Sequence, residues 1–203
     1  MKTLALALLI PVAICTGCGK KEEASTTPPP APVEQTADAP ATGAAPVAPP
    51  ADAAATAQVS LVSAAGSSVK GNLTLTGEGD AVSIRGEITG LTPGKEHGFH
   101  IHEGGECSLP DFQSAGGHFN PTKDPHGGPG STPRHQGDIP NIKADDNGKA
   151  TFDINVKGVT LVDKDGAPTE IIGKALVVHA MPDDYKTQPS GGSGARIACG
   201  VIH

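Results

Sequence analysis

The segment from His100 to Asp138 carries five of the eight histidines of this 203-residue chain, and it limits what the chain can fold into. His100 and His102 end an alternating run, His97 to Glu103. In a β-strand side chains at i and i+2 point to the same face. The two imidazoles can therefore grip one ion while Phe99 and Ile101 point the other way into a core. His118, His126 and His135 follow in a Gly/Pro-rich stretch that cannot form a regular element, and Asp138 closes the series. Imidazoles with one carboxylate suit zinc, and clustered imidazoles also suit copper. A solvated loop that happens to be rich in histidine is the bland alternative. Five histidines and an aspartate in one segment weigh against it. The fold must then hold a long irregular loop against a rigid strand.

Residues 58–203 are the length of one domain. Short strands are expected at Gln58–Ala65, Val69–Thr76, Ala81–Thr89, Glu96–Glu103, Lys149–Lys157, Lys174–Ala180 and Arg196–Ile202, with another around Gly158–Val162. Gly, Asn, Asp or Pro turn signals bound each, and no stretch has a convincing helical period. The expected class is all-β, an antiparallel Greek-key β-sandwich or flattened barrel with long metal-binding loops. Val, Ile and Leu must build its core, since the chain has four Phe, one Tyr and no Trp.

Residues 1–18, MKTLALALLIPVAICTGC, combine one lysine, an apolar run and small residues, the pattern of a secretory signal too short to span a membrane. Thr16-Gly17-Cys18 resembles a bacterial lipoprotein cleavage box, which implies lipidation of Cys18. Cys15 stands where that box usually has Leu, so ordinary signal-peptidase cleavage stays open. Residues 19–57 contain 8 Pro and 13 Ala and no aromatic residue. Such a composition cannot bury enough apolar surface to offset its ordering entropy, and a disordered tether is expected. A flexible chain of that length spans roughly 35 Å root-mean-square. The expected location is the bacterial cell envelope, periplasmic or at the cell surface, with a lipid anchor in the membrane.

The motifs GFHIHE, SAGGHFNP, HGGP and RHQGD, followed by LVVHA and GARIACGVIH, resemble the copper/zinc superoxide dismutase family from about Gln58 to the C-terminus. The resemblance implies copper held by His100, His102, His118 and His179, and zinc held by His118, His126, His135 and Asp138. His118 would be shared, because a deprotonated imidazole has a lone pair on each nitrogen. In Leu176-Val177-Val178-His179, alternation turns Leu176 and Val178 inward and Val177 and His179 outward. Asp183 would bridge the outer nitrogens of His100 and His126, with Asp184 as its neighbour and rival. The match also implies that Arg196 guides an anion to the metal. Lys186, in loop 181–194, is a weaker candidate for that role. His97 and His203 are assigned to structure.

With Cys15 and Cys18 placed in the signal, Cys107 and Cys199 remain, and they match the family's disulfide. The interval from Cys107 to His118 is longer than in the animal and plant enzymes and is similar to the bacterial branch. Subunit contacts differ between those branches, so a homodimer is allowed but not implied. The domain holds 12 Lys+Arg against 17 Asp+Glu. That balance speaks against a nucleic-acid partner, and it means that attraction of superoxide anion must be local. The expected activity is disproportionation of superoxide to oxygen and hydrogen peroxide, with catalytic roles for Arg196 and His118. The alternative is a non-catalytic member of the same fold that binds or delivers copper.

Overall fold

Alternating sequences become sheets where one face can be kept dry, and the described residues contain nine strands, two of them only two residues long. The computed structural model describes residues 54–162 and 168–203, so the expected signal and the tether up to residue 53 lie outside the described residues. The strands are β1 (Thr56–Ser63), β2 (Lys70–Glu78), β3 (Ala81–Thr89), β4 (Glu96–His97), β5 (Phe99–His102), β6 (Ile142–Lys143), β7 (Ala150–Lys157), β8 (Ala175–His179) and β9 (Arg196–Val201). β1 starts two residues before Gln58, pairing Thr56 with Thr76, so the first strand takes residues assigned above to the tether. Among the described residues the only helical turn is Gln113–Ala115, and no helix is long and apolar enough to cross a membrane.

Seven strands form one antiparallel sheet in the order β5-β8-β9-β1-β2-β3-β7, and β4 and β6 form a separate pair. β1 is the joint. It runs beside β2 along most of its length, then meets β9 at Val62↔Cys199 and Ser63↔Ala198. The sheet curls so far that its two edge strands meet through side chains: the rings of Phe99 on β5 and Phe152 on β7 lie 5.4 Å apart. Inside the curl, Val59, Leu73, Leu75, Ile84, Phe99, Ile101, Leu176 and Val178 form one buried apolar core. Fully burying each such side chain contributes roughly 1.5–3 kcal/mol, enough to specify which face turns inward.

Three sequence expectations are adjusted. The run Glu96–Glu103 splits at Gly98, whose N–H donates to Met181 O while its carbonyl accepts from His179 N–H. A Cβ at Gly98 would come within 2.8 Å of the Ser193 Cβ, so the chain passes this point only as glycine. Residues 158–162 form no strand; Thr160 makes one isolated bridge to Glu170. The two-residue β6 is absent from the expectations because it is too short to show a period.

The outer face of β8 and β9 is also dry. Val177, Ala175 and Cys199 pack with Phe112, Ala115 and Ala64 in a second cluster, with Cys107 against it. Outward-facing positions are thus buried because residues 103–117 lie over them. The Cys107–Cys199 disulfide, with Cα atoms 5.6 Å apart, pins that cover to β9 across a sequence separation of 92.

Candidate metal centre

A strand at the edge of a sheet offers unpaired N–H and C=O groups. β8 pairs with one edge of β5, and the irregular loop occupies the other. Phe119 N–H donates to Ile101 O at 2.8 Å, Ile101 N–H to Gly137 O at 3.0 Å, and Glu103 N–H to Gly117 O at 2.9 Å. These bonds place His118 opposite His102 and Asp138 opposite His100. Gly137 is required there, since a Cβ would collide with Ile101 O. The β5–β8 ladder, with His100 opposite Val177, brings in His179 from the end of β8. Backbone pairing therefore gathers side chains from four separate parts of the sequence.

Two groups of four result: His100, His102, His118 and His179; and His118, His126, His135 and Asp138. Within each group the donor atoms lie within 4.8 Å of one another, and all seven residues are buried. Hydrogen bonds decide which nitrogen of each ring faces inward. His102 Nδ1 bonds Gly116 O at 3.0 Å and His179 Nδ1 bonds Gly194 O at 3.2 Å, which turns the two Nε2 atoms toward each other, 3.3 Å apart. His100 uses Nε2 on Asp183 Oδ2 at 2.8 Å, and its buried Nδ1 has no partner. His118 Nε2 is likewise buried and without a partner, while its Nδ1 faces Asp138. Four lone-pair nitrogens thus close on one point, and soft, redox-capable copper suits such an all-imidazole set.

On the other side, Nδ1 of His118, His126 and His135 lie 2.8, 2.9 and 3.0 Å from one oxygen, Asp138 Oδ1. Three ring nitrogens exceed the two lone pairs of that oxygen, whereas three nitrogens and one oxygen around a cation make a zinc-type set. Asp138 Oδ2 is held separately by the N–H groups of Gly127 and His135, at 2.9 and 3.0 Å. Burial alone would raise the Asp138 pKa. The His118 hydrogen bond and the Gly127 N–H outweigh it and hold the carboxylate well below its usual range. Burial, followed by the neighbouring His118, pushes His100 and His102 well below the ordinary histidine value. Burial lowers His179 to about 4 and also lowers His135. Neutral rings keep their lone pairs, which is the form that binds metal.

Asp183 stands between the groups. Its Oδ2 meets His100 Nε2 at 2.8 Å and its Oδ1 meets His126 Nε2 at 3.0 Å. Asp184 is exposed instead and holds the turn at Lys186 and Thr187. His97 is buried with Nδ1 on His179 O at 2.9 Å, and His203 is exposed at the sheet margin.

His102, His118 and His179 open onto a cavity of about 580 Å³, with Arg196 in its wall. Arg196 Nη1 donates to Phe112 O at 2.6 Å and Nη2 to Gly116 O at 2.5 Å. Phe112 presents its carbonyl from a left-handed backbone, φ 58°. That conformation costs about 1–3 kcal/mol in a residue other than glycine, and burial of the whole ring offsets a similar amount. Partial burial lowers the Arg196 pKa from the arginine value, yet a guanidinium remains charged. Lys186, the second expected cation, does not line this cavity. Lys123 does, and it was missed because an isolated lysine in a Pro/Gly-rich loop has no signature. The carbonyls of Phe112, Gly116 and Gly194 were missed for a deeper reason, since every residue type carries one.

Comparison with known proteins agrees with this arrangement. Residues 69–202 match the family model for copper/zinc superoxide dismutase. Superoxide dismutase (Cu-Zn) 1 of Aquifex aeolicus is 44% identical over 146 residues, covering 70% of this chain and 84% of that protein. The Cu-Zn superoxide dismutase of Caulobacter vibrioides is 43% identical over 146 residues, covering 70% and 83%. Among solved structures, a double mutant of a SOD-like protein from Bacillus subtilis superposes with a TM-score of 0.65 at 41% identity, covering 71% of this chain and 95% of that one.

Proposed function

We propose, since the chain belongs to the copper/zinc superoxide dismutase family, that it disproportionates superoxide to oxygen and hydrogen peroxide. The observation that carries this reading is the pair of buried, unpartnered nitrogens, His100 Nδ1 and His118 Nε2, beside the facing Nε2 atoms of His102 and His179. Those four atoms would hold copper. Nδ1 of His118, His126 and His135 with Asp138 Oδ1 would hold zinc. Copper bound there supplies an alternating one-electron acceptor and donor for superoxide.

The chain's own residues do the rest. Arg196 draws the anion into the cavity and orients it, and Lys123 on the same wall adds positive potential to an acidic domain. His118 lines that cavity, and its buried Nε2 would hold a proton for the product when not bound to copper. Asp183 and the Gly116 and Gly194 carbonyls keep the rings from turning, so the donor atoms are in place before metal binds.

A second reading, a non-catalytic member that binds or delivers copper, draws on the likeness to a SOD-like protein. The complete ligand set, together with Arg196 beside an open cavity, favours the enzyme. Measuring superoxide decay with protein of known copper and zinc content separates the two. Stoichiometric copper without accelerated decay would leave only the second reading.

We further propose that Cys18 is lipidated and that the Pro/Ala-rich segment tethers the domain to a membrane of the bacterial envelope. The support is the cleavage box and the composition of the chain itself.

A further inference from the structure

The wall residues Pro189 and Ser190 and the zinc-side ligand His126 belong to different loops; Asp183 reaches the His126 ring, and Gln188 holds the His126 main chain by a two-point contact. Gln188 Oε1 accepts from His126 N–H at 2.9 Å, and Gln188 Nε2 donates to His126 O at 2.9 Å. The carboxamide thus pairs with a single residue's main chain as a neighbouring strand would, and fixes both its polar groups. The next two residues, Pro189 and Ser190, line the cavity with Arg196. Beyond them the loop is tied back to itself: Gly191 N–H donates to Thr187 O at 2.7 Å, and Asp184 N–H to Gly191 O at 2.9 Å. Gly191, at φ +67°, lies so close to Asp183 that a Cβ would run into its carboxylate. The base of the same loop carries a second clamp of this kind. Asn141 Nδ2 donates to Asp183 O and Asn141 Oδ1 accepts from Asp183 N–H, both at 2.9 Å.

The two clamps differ in what they hold. Asn141 sets the root of the loop, next to Asp183. Gln188 grips a zinc-side ligand from the stretch that forms the wall. We propose that Gln188 is a positioning residue through which the zinc-side ligand His126 sets the order of the cavity wall at Pro189–Ser190. When His126 is fixed by a cation at Nδ1, its main chain becomes a rigid post for Gln188; when it is not, the post and the wall loosen together. The same contact works in reverse, since a coupling between two sites is reciprocal: holding His126 through Gln188 raises the affinity of the zinc side. The inference rests on the reading that His126 holds zinc.

The test uses the full chain loaded with copper, with and without zinc, and follows backbone hydrogen exchange. In the wild type, zinc should slow exchange both in 118–138 and at the amides of Thr187, Gly191 and Ser193. Gln188→Ala should keep the zinc-dependent slowing in 118–138, lose most of it at those three amides, and bind zinc about tenfold more weakly. Lys186→Ala, in the same loop but without contact to His126, should behave as wild type. Zinc-dependent protection of Thr187, Gly191 and Ser193 that survives in Gln188→Ala overturns the proposal. Zinc affinity unchanged by His126→Ala would instead overturn the zinc reading beneath it.

Discussion

Arg196 and His102 donate to the same acceptor: Gly116 O receives Arg196 Nη2 at 2.5 Å and His102 Nδ1 at 3.0 Å. The residue proposed to attract the substrate and one of those proposed to hold copper are therefore registered on one carbonyl. The loop carrying Gly116 is in turn fastened to β9 by the disulfide from Cys107. The proposed steering and metal geometry would both depend on this short stretch of main chain.

Arg196→Ile removes the charge without touching a ligand nitrogen. Copper and zinc content should stay close to wild type while the second-order rate with superoxide falls roughly tenfold. The wild-type rate should drop as salt is added, because the Debye length shrinks from about 10 Å at 0.1 M to about 3 Å at 1 M, and the variant should show a shallower slope. Pulse radiolysis across ionic strengths reads both. Lys123→Glu should lower the rate about two- to fivefold with the metals intact. Wild-type rate and slope in the Arg196 variant would remove the guidance role.

His118→Ala takes one donor from each group of four. Both metals should weaken in elemental analysis after dialysis, and turnover should vanish at every salt concentration. Loss of one metal with full retention of the other would show that the imidazole is not shared.

Breaking the disulfide should act twice. Cys107→Ser with Cys199→Ser should destabilise the domain by about 2–5 kcal/mol, a fall in Tm of about 10 °C in calorimetry. Since the freed loop holds Phe112 O and Gly116 O, the superoxide rate should fall even where the domain remains folded. An unchanged rate in the folded variant would show that Arg196 is aimed by other contacts.

The metal-free protein should lose stability in mild acid. His179 is depressed from 6.5 to about 4 by burial, so between those values the unfolded chain binds a proton that the folded chain refuses. Its contribution is complete above pH 6.5 and is lost as pH falls toward 4, on the order of 3 kcal/mol. His100 and His102 shift in the same direction and steepen the loss. Denaturant titrations of the metal-free chain from pH 7.5 to 4 measure this, and a flat profile would contradict burial of neutral rings.

Cys18→Ser tests the proposed anchor. The protein should move from the membrane fraction to the soluble fraction, and unchanged fractionation would count against lipidation of Cys18.

Six of the seven residues in the two groups of four stand out within the segment 100–138 itself, whereas His179 is indicated only through the family resemblance. His100 and His102 declare a common face because β alternation is local, and the same rule separates Val178 from His179. Strand existence was equally legible, because the core residues of β1 and β2 alternate, Ala57, Val59 and Leu61 on one and Leu73 and Leu75 on the other. What needed the tertiary structure is the identity of the nitrogen that His102 and His179 present, the aim of Arg196 and the grip of Gln188 on His126. Those are set by backbone N–H and C=O groups at Phe112, Gly116, His126 and Gly194. Every residue type but proline carries both groups, so their placement leaves no mark in composition or spacing and is decided only when distant loops are brought against β5 and β9.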